Sequence, residues 1–235
     1  MTRVVSAWPS LGAARVGRVI DVVVSGVLFD MDGTLVDSTT VVEAAWSRFG
    51  AEHGIDPAEI LGFSHGRQTI DTVQRFLPHL TPDEQRTVVD TMIAAEIDYT
   101  EGIVEVPGAG AFVQRLVDAG VPVALVTSAP RELAVKRMIA AGVPVPEALV
   151  PSEDAERSKP HPEGYLRGAA LLGVPAERCL AFEDAPAGVE AAIASGATTV
   201  VVGTLEAPVT EGLPRIAGYD GITVTAEGSA FRIRG

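Results

Sequence analysis

The chain has one cysteine, Cys179, and two lysines, Lys136 and Lys159, among its 235 residues. A single cysteine forbids an internal disulfide and most cysteine-rich metal sites. Within its apolar run Cys179 reads as a small buried hydrophobe. No apolar run approaches the length of a membrane span, which excludes a transmembrane helix. Met1 to Ile20 lack the apolar stretch of a secretory signal, so a cytoplasmic location is expected. Basic side chains are outnumbered, 18 against 31 acidic, for a net charge of −13. That balance argues against nucleic-acid and membrane partners, which need a basic face. It leaves room for a small anionic substrate in a locally positive pocket. A monomer or weak homodimer is expected.

What is present is a globular composition, 47% hydrophobic, with apolar runs of strand length recurring along the chain. Val22 to Phe29, Val121 to Val126, Leu149-Val150, Cys179 to Phe182 and Thr198 to Val202 are such runs, and Ile222 to Thr225 is a sixth candidate. Strands that are nearly continuously apolar are buried on both faces, as in a parallel sheet. Helical stretches separate them: 111–119, 131–141 and 186–195, each followed by glycine. The alternation predicts an α/β fold, a doubly wound parallel sheet. Residues 39–105 break it, with no convincing strand. Val42, Ala45, Trp46 and Phe49 share one helix face, and Trp46 and Phe49 read as the core of this part. Thr40 and Glu43 fit a capping box, although Glu43 could instead face a site. Thr81-Pro82-Asp83-Glu84 is a stronger helix start, predicting a helix through Val88, Met92 and Ala95. The division expected is a discontinuous core, 20–38 and 106–235, an all-helical cap at 39–105, and an N-terminal arm at 1–19.

In open parallel sheets ligands bind beyond the carboxyl ends of the strands. Here those ends carry Asp30-Met31-Asp32-Gly33-Thr34, Thr127-Ser128 and Glu183-Asp184, with Lys159 in the loop Ser158 to Pro162. Carboxylates, hydroxyls and one lysine brought together suit phosphoryl transfer through an aspartyl-phosphate. Asp30 would be the nucleophile. Asp32 would protonate the leaving alcohol and later deprotonate water. Gly33 permits the turn that both carboxylates need. A hard cation, Mg²⁺, would bridge Asp30, the backbone carbonyl of Asp32, and Asp184. Glu183 stands open between metal ligand, supporting partner and helix cap. Thr34, Thr127 and Ser128, with helix-start amides, would hold phosphate oxygens, and Lys159 would neutralise phosphoryl charge. His161 reads as structural, and His53 and His79 as surface residues.

These four segments resemble, in order, the motifs of the haloacid-dehalogenase-like (HAD) hydrolase superfamily: Asp30 to Ser38, Val126-Thr127-Ser128, Ser158 to Pro162, and Phe182 to Val189. The resemblance implies a Rossmann-like core with a helical cap between the first two motifs, as read above. Ser64-His65-Gly66-Arg67, Val106 to Ala109 and Phe182 to Gly188 are similar to small-sugar and polyol phosphatases. That implies a substrate such as a hexitol phosphate, glycerol phosphate or 2-deoxyglucose 6-phosphate, selected in part by the cap loop bearing His65 and Arg67. The absence of lysine from 39–105 excludes the Schiff-base chemistry of phosphonate-cleaving relatives, and Asp32 separates the chain from dehalogenase relatives. A sugar phosphomutase similar to β-phosphoglucomutase shares all four motifs and stands as the alternative. A receiver-like phosphate-accepting module is the rival from another class; the length and the helical insert count against it. A non-catalytic phosphate binder finds no support, since every catalytic position is filled.

Overall fold

A computed structural model describes residues 20–235; the expected arm at 1–19 lies outside the described residues. The central sheet has six strands, all parallel. In chain order they are β2 (Gly26–Phe29), β5 (Val123–Val126), β6 (Ala148–Val150), β7 (Cys179–Glu183), β8 (Thr198–Val202) and β9 (Arg215–Ile216). In space they run β6-β5-β2-β7-β8-β9. The chain starts in the middle, builds outward through β5 and β6, then returns to the other side of β2 at β7. That reversal opens a crevice at the carboxyl end of β2, where an α/β sheet takes its ligand.

The strands are buried on both faces, as their continuous apolar runs require. Side chains alternate across the sheet. Phe29 stacks on Phe182 at 5.1 Å, and Phe112 of α5 (Ala109–Asp118) on Tyr219 at 5.2 Å, forming an aromatic cluster on one face. Leu28, Ala124, Val126 and Ala181 face the other way, against Tyr165 and Ala169 of α7 (Glu163–Leu171) and Ala191 of α8 (Pro186–Ala194). Helix α6 (Arg131–Ala141) follows β5, as expected.

Two strand readings change. The run Val22 to Phe29 is broken at Ser25 into β1 (Asp21–Val24) and β2. Strand β1 leaves the parallel sheet and pairs antiparallel with β11 (Ala230–Arg234). Ile222 to Thr225 is not a sixth parallel strand: β10 (Thr223–Glu227) joins β11 in the same small antiparallel sheet. The sixth place in the parallel sheet goes to β9, only two residues long and too short to show a periodicity.

Between β3 (Val36–Asp37) and β4 (Val104–Glu105) the chain is helical: α1 (Thr39–His53), α2 (Pro57–Ser64), α3 (Thr69–Phe76) and α4 (Pro82–Asp98). It carries its own apolar centre of Trp46, Phe49, Ile60, Val73 and Leu77. The Thr81–Glu84 capping box forms in both directions. The Thr40–Glu43 box does not: α1 begins at Thr39 with Ser38 before it, and Ser38 gives its hydroxyl to Asp32 instead of capping the helix. Glu43 is exposed. The expectation of no strand here fails at its end, where β4 pairs antiparallel with β3 and clasps the root of the insert. Among the described residues no helix is long and apolar enough to cross a membrane.

Candidate active site

Strand β2 delivers Asp30 to the crevice, and the turn after it delivers Asp32. Gly33 makes that turn possible for two reasons. Its φ is +83°, and a Cβ there would stand 2.0 Å from Asp184 Oδ2. Strand β5 ends at Val126 and is followed by Thr127, whose Oγ1 accepts from the Ala129 amide at 3.0 Å. Strand β7 ends at Glu183, followed by Asp184. Asp30, Glu183 and Asp184 place carboxylate oxygens within 4.8 Å of one another.

Lys159 enters from the loop before α7 and is almost wholly buried. Its Nζ donates to Asp30 Oδ1 at 2.5 Å and to Glu183 Oε1 at 2.6 Å. Tyr165 donates its hydroxyl to the same Glu183 oxygen at 3.1 Å. Glu183 Oε2 accepts from the amides of Asp184 and Ala185 at 2.8 and 2.9 Å. Both Glu183 oxygens are thus engaged, and Gly188 is required beside them: a Cβ there would lie 1.6 Å from Oε1. Thr34 donates to Asp184 Oδ1 at 2.9 Å, and Tyr219 donates to the Thr34 carbonyl at 3.0 Å.

Three carboxylates around one ammonium leave excess negative charge out of water, and the acidities follow. Burial pushes the Asp30 carboxyl up to about 8; Lys159 opposes this, and the charges of Glu183 and Asp32 add to it. Asp184 is raised too, by burial and then by the charges of Glu183 and Asp30. Burial alone would lower the Lys159 ammonium, but Asp30 and Glu183 outweigh it and hold the group above the ordinary lysine value. The all-oxygen donor set and the uncompensated charge fit a hard divalent cation.

The helical insert closes the other side of a cavity of about 90 Å³ shared with Asp30, Asp32, Thr127 and Asp184. His65, Gly66 and Arg67, in the turn between α2 and α3, line it. The Gly66 carbonyl accepts from Ser128 Oγ at 2.9 Å. Arg67 lies over the Phe63 ring at 4.5 Å and reaches the Lys159 carbonyl at 3.4 Å. Gln68 donates to the Ser152 carbonyl at 3.1 Å.

A family model, haloacid dehalogenase-like hydrolase, matches residues 24–196. The chain belongs to this family. It is 42% identical over 177 residues to hexitol phosphatase A of Escherichia coli (strain K12), covering 75% of this chain and 82% of that one. It is 33% identical over 192 residues to glycerol-1-phosphate phosphohydrolase 2 of Saccharomyces cerevisiae, covering 77% and 75%. A HAD family hydrolase of Deinococcus radiodurans R1, solved with phosphate and sodium, shares 30% identity and a TM-score of 0.59 over 82% of this chain and 90% of that one.

Against this family background the site residues sort themselves. Asp30, Asp32, Thr127, Lys159, Glu183 and Asp184 converge from strand ends and loops far apart in sequence. Thr34 is fully buried and gives its hydroxyl proton to Asp184, which lines the cavity, while Thr34 itself is not part of the lining. Ser128 spends its hydroxyl proton on Gly66, joining the insert to the core. Cys179 is fully buried in β7, and burial, with the Glu177 charge, pushes its thiol up to about 11, unsuited to nucleophilic work near neutrality. His161 accepts from the Glu163 amide at 3.2 Å, a loop-holding contact. His53 packs on Phe49 at 4.7 Å.

Sequence reasoning missed four residues at the site: Tyr165, Tyr219, Glu96 and Arg137. The one sequence signal concerned Arg137, which falls on the α6 face that also carries the apolar Leu133, Ala134 and Met138. A charge on an apolar face asks for a buried partner.

Proposed function

We propose that this chain is a Mg²⁺-dependent phosphatase of small sugar or polyol phosphate monoesters, working through an aspartyl-phosphate. The observation that carries the reading is one cavity ringed by Asp30, Asp32, Thr127 and Asp184, with Lys159 hydrogen-bonded to Asp30 behind it. The named activities of the hexitol and glycerol phosphate relatives support the substrate class. The phosphate bound by the Deinococcus hydrolase supports a phosphate-bearing substrate.

Lys159 holds one oxygen of Asp30, leaving the other to attack phosphorus. As the phosphorus–oxygen bond of the ester breaks, Asp32 gives a proton to the departing alcohol. Asp32, now a carboxylate, takes a proton from water as that water attacks the phosphorus. The bond to Asp30 breaks, inorganic phosphate leaves, and Asp32 is again protonated. Thr127 accepts from a backbone amide and keeps its hydroxyl proton to donate to a phosphoryl oxygen. Asp30, the Asp32 carbonyl and Asp184 would hold Mg²⁺, which supplies Lewis-acid neutralisation of phosphoryl charge. Glu183 acts through Lys159, fixing its position.

The division of labour follows the chain: a core at 20–38 and 106–235 performs the chemistry, and a cap at 39–105 covers it. His65 and Arg67 read the organic part of the substrate. The test is phosphate release from hexitol, glycerol and hexose phosphates, with and without Mg²⁺, beside Asp30→Asn. Mg²⁺-dependent release from a subset of these, lost by more than ~10³-fold in Asp30→Asn, is expected. Full activity in that variant overturns the mechanism, and conversion of β-glucose 1-phosphate to the 6-phosphate without phosphate release replaces phosphatase by mutase.

A further inference from the structure

Arg137 is 3% exposed on α6, among apolar neighbours. Its guanidinium spans two carboxylates on different parts of the molecule. Nη1 donates to Asp32 Oδ2 at 2.8 Å, and Nη2 donates to Glu96 on α4 of the helical insert. Among the described residues Nε has no partner, and these two carboxylates fix the plane of the fork. The second oxygen of Asp32 accepts from Ser38 Oγ at 2.6 Å. Each Asp32 oxygen therefore has its own donor, one from the turn before α1 and one from α6.

Asp32 needs such support more than its neighbours do. Its side chain is 30% exposed, against 7% for Asp30 and 0% for Glu183. Asp30 and Glu183 are held by packing and by Lys159. A carboxylate on a turn, partly in water, has rotamers to lose, and proton transfer to a leaving oxygen demands one orientation. A buried ion pair serving stability alone would need only one carboxylate, and Glu96 would suffice. The fork instead extends to the turn that carries the proton shuttle. Its planar geometry suits orienting better than an ammonium would.

We propose that Arg137 is a positioning residue for Asp32, and that Glu96 makes this positioning depend on the helical insert being seated on the core. The inference rests on the phosphatase reading, in which Asp32 protonates the leaving alcohol. Arg137 touches neither the phosphoryl group nor the attacking water. It acts through Asp32, and Glu96 acts through Arg137.

The discriminating readout is the leaving group. A polyol alkoxide needs a proton to depart, whereas nitrophenolate is a stable anion and leaves without one. In Arg137→Met, kcat/KM for the preferred polyol or sugar phosphate should fall at least ~10-fold further than kcat/KM for 4-nitrophenyl phosphate. Glu96→Gln should show the same selectivity, smaller in size. If thermal melting shows that Arg137→Met alone does not fold, the double variant Glu96→Met with Arg137→Met removes the whole buried pair and carries the same ratio test. Equal losses on both esters in a folded variant make Arg137 a structural residue and overturn the inference while leaving the phosphatase reading intact. A wild-type chain that releases phosphate from neither ester overturns the phosphatase reading, and the inference with it.

Discussion

The two walls of the cavity are built differently. On the core side every carboxylate is held by at least one buried partner: Asp30 by Lys159, Glu183 by Lys159, Tyr165 and two amides, Asp184 by Thr34. On the insert side the loop Ser64 to Gln68 meets the core through single, more exposed contacts, Gly66 to Ser128, Arg67 to Lys159 and Gln68 to Ser152. A preorganised wall stabilises a charge distribution that is the same for every phosphate ester. A lightly held wall can meet different organic groups and let substrate in and product out. In the proposed phosphatase the chemistry falls to the first wall, braced by Glu96 through Arg137, and the choice of substrate to the Ser64 to Gln68 loop.

That contrast predicts effects of unequal size. Lys159→Met should be the most severe change, removing the cation that bridges Asp30 and Glu183. A loss of about 10²–10³ in kcat is expected in steady-state phosphate release, with destabilisation of roughly 3–5 kcal/mol in denaturant melts. Retention of wild-type kcat would mean that the core wall is not preorganised by this lysine.

Glu183→Gln comes next, because an amide group offers one acceptor oxygen where Lys159, Tyr165 and two backbone amides ask for two. About 10–100-fold should be lost in activity or in metal affinity, and both should be read by Mg²⁺ titration. An unchanged titration curve would assign Glu183 to fold stability alone.

Arg67→Ala tests the other wall. KM for the preferred substrate should rise at least about tenfold while kcat changes little, since a hydrogen bond to a charged group is worth about 1.5–3 kcal/mol. A flat profile across hexitol, glycerol and hexose phosphates, identical to wild type, would remove Arg67 from substrate selection.

The smallest effect is expected from Ser128→Ala, which deletes one neutral hydrogen bond between core and insert. About 1 kcal/mol, or a few-fold in kcat/KM, should be lost. A fall as deep as that of Lys159→Met would show Ser128 acting on the phosphoryl group itself.

Much of the site was legible before folding, because its chemistry sits in short contiguous runs at strand ends. Asp30 and Asp32 are two residues apart, Glu183 and Asp184 are adjacent, and Lys159 stands out where lysine is scarce. The helical nature of 39–105, save for β4 at its end, was legible from the Thr81–Glu84 signal and the spacing of Trp46 and Phe49. The strand run 22–29 misled because periodicity does not say which sheet a strand joins. Ser25 divides it, and β11, on the far end of the chain, captures the first half. Thr34 and Ser128 were legible as hydroxyls near the site, but not as donors to Asp184 and Gly66. A rotatable hydroxyl serves whichever acceptor the packed structure places closest.

By itself, then, the sequence determined the strand and helix alternation, the carboxylate pairs and the lone lysine beside them, since each is a property of neighbouring residues and local periodicity. Only the tertiary structure decided which donors fill the oxygens of Glu183, how the Ser64 to Gln68 loop lies over Asp30, and that Arg137 joins Asp32 to Glu96. Those pairings link residues 105 and 41 positions apart. The Glu96 pairing follows from α4 packing against α6, and the Asp32 pairing from α6 lying beside β3 after the Asp32 turn, contacts that no local pattern in the chain carries.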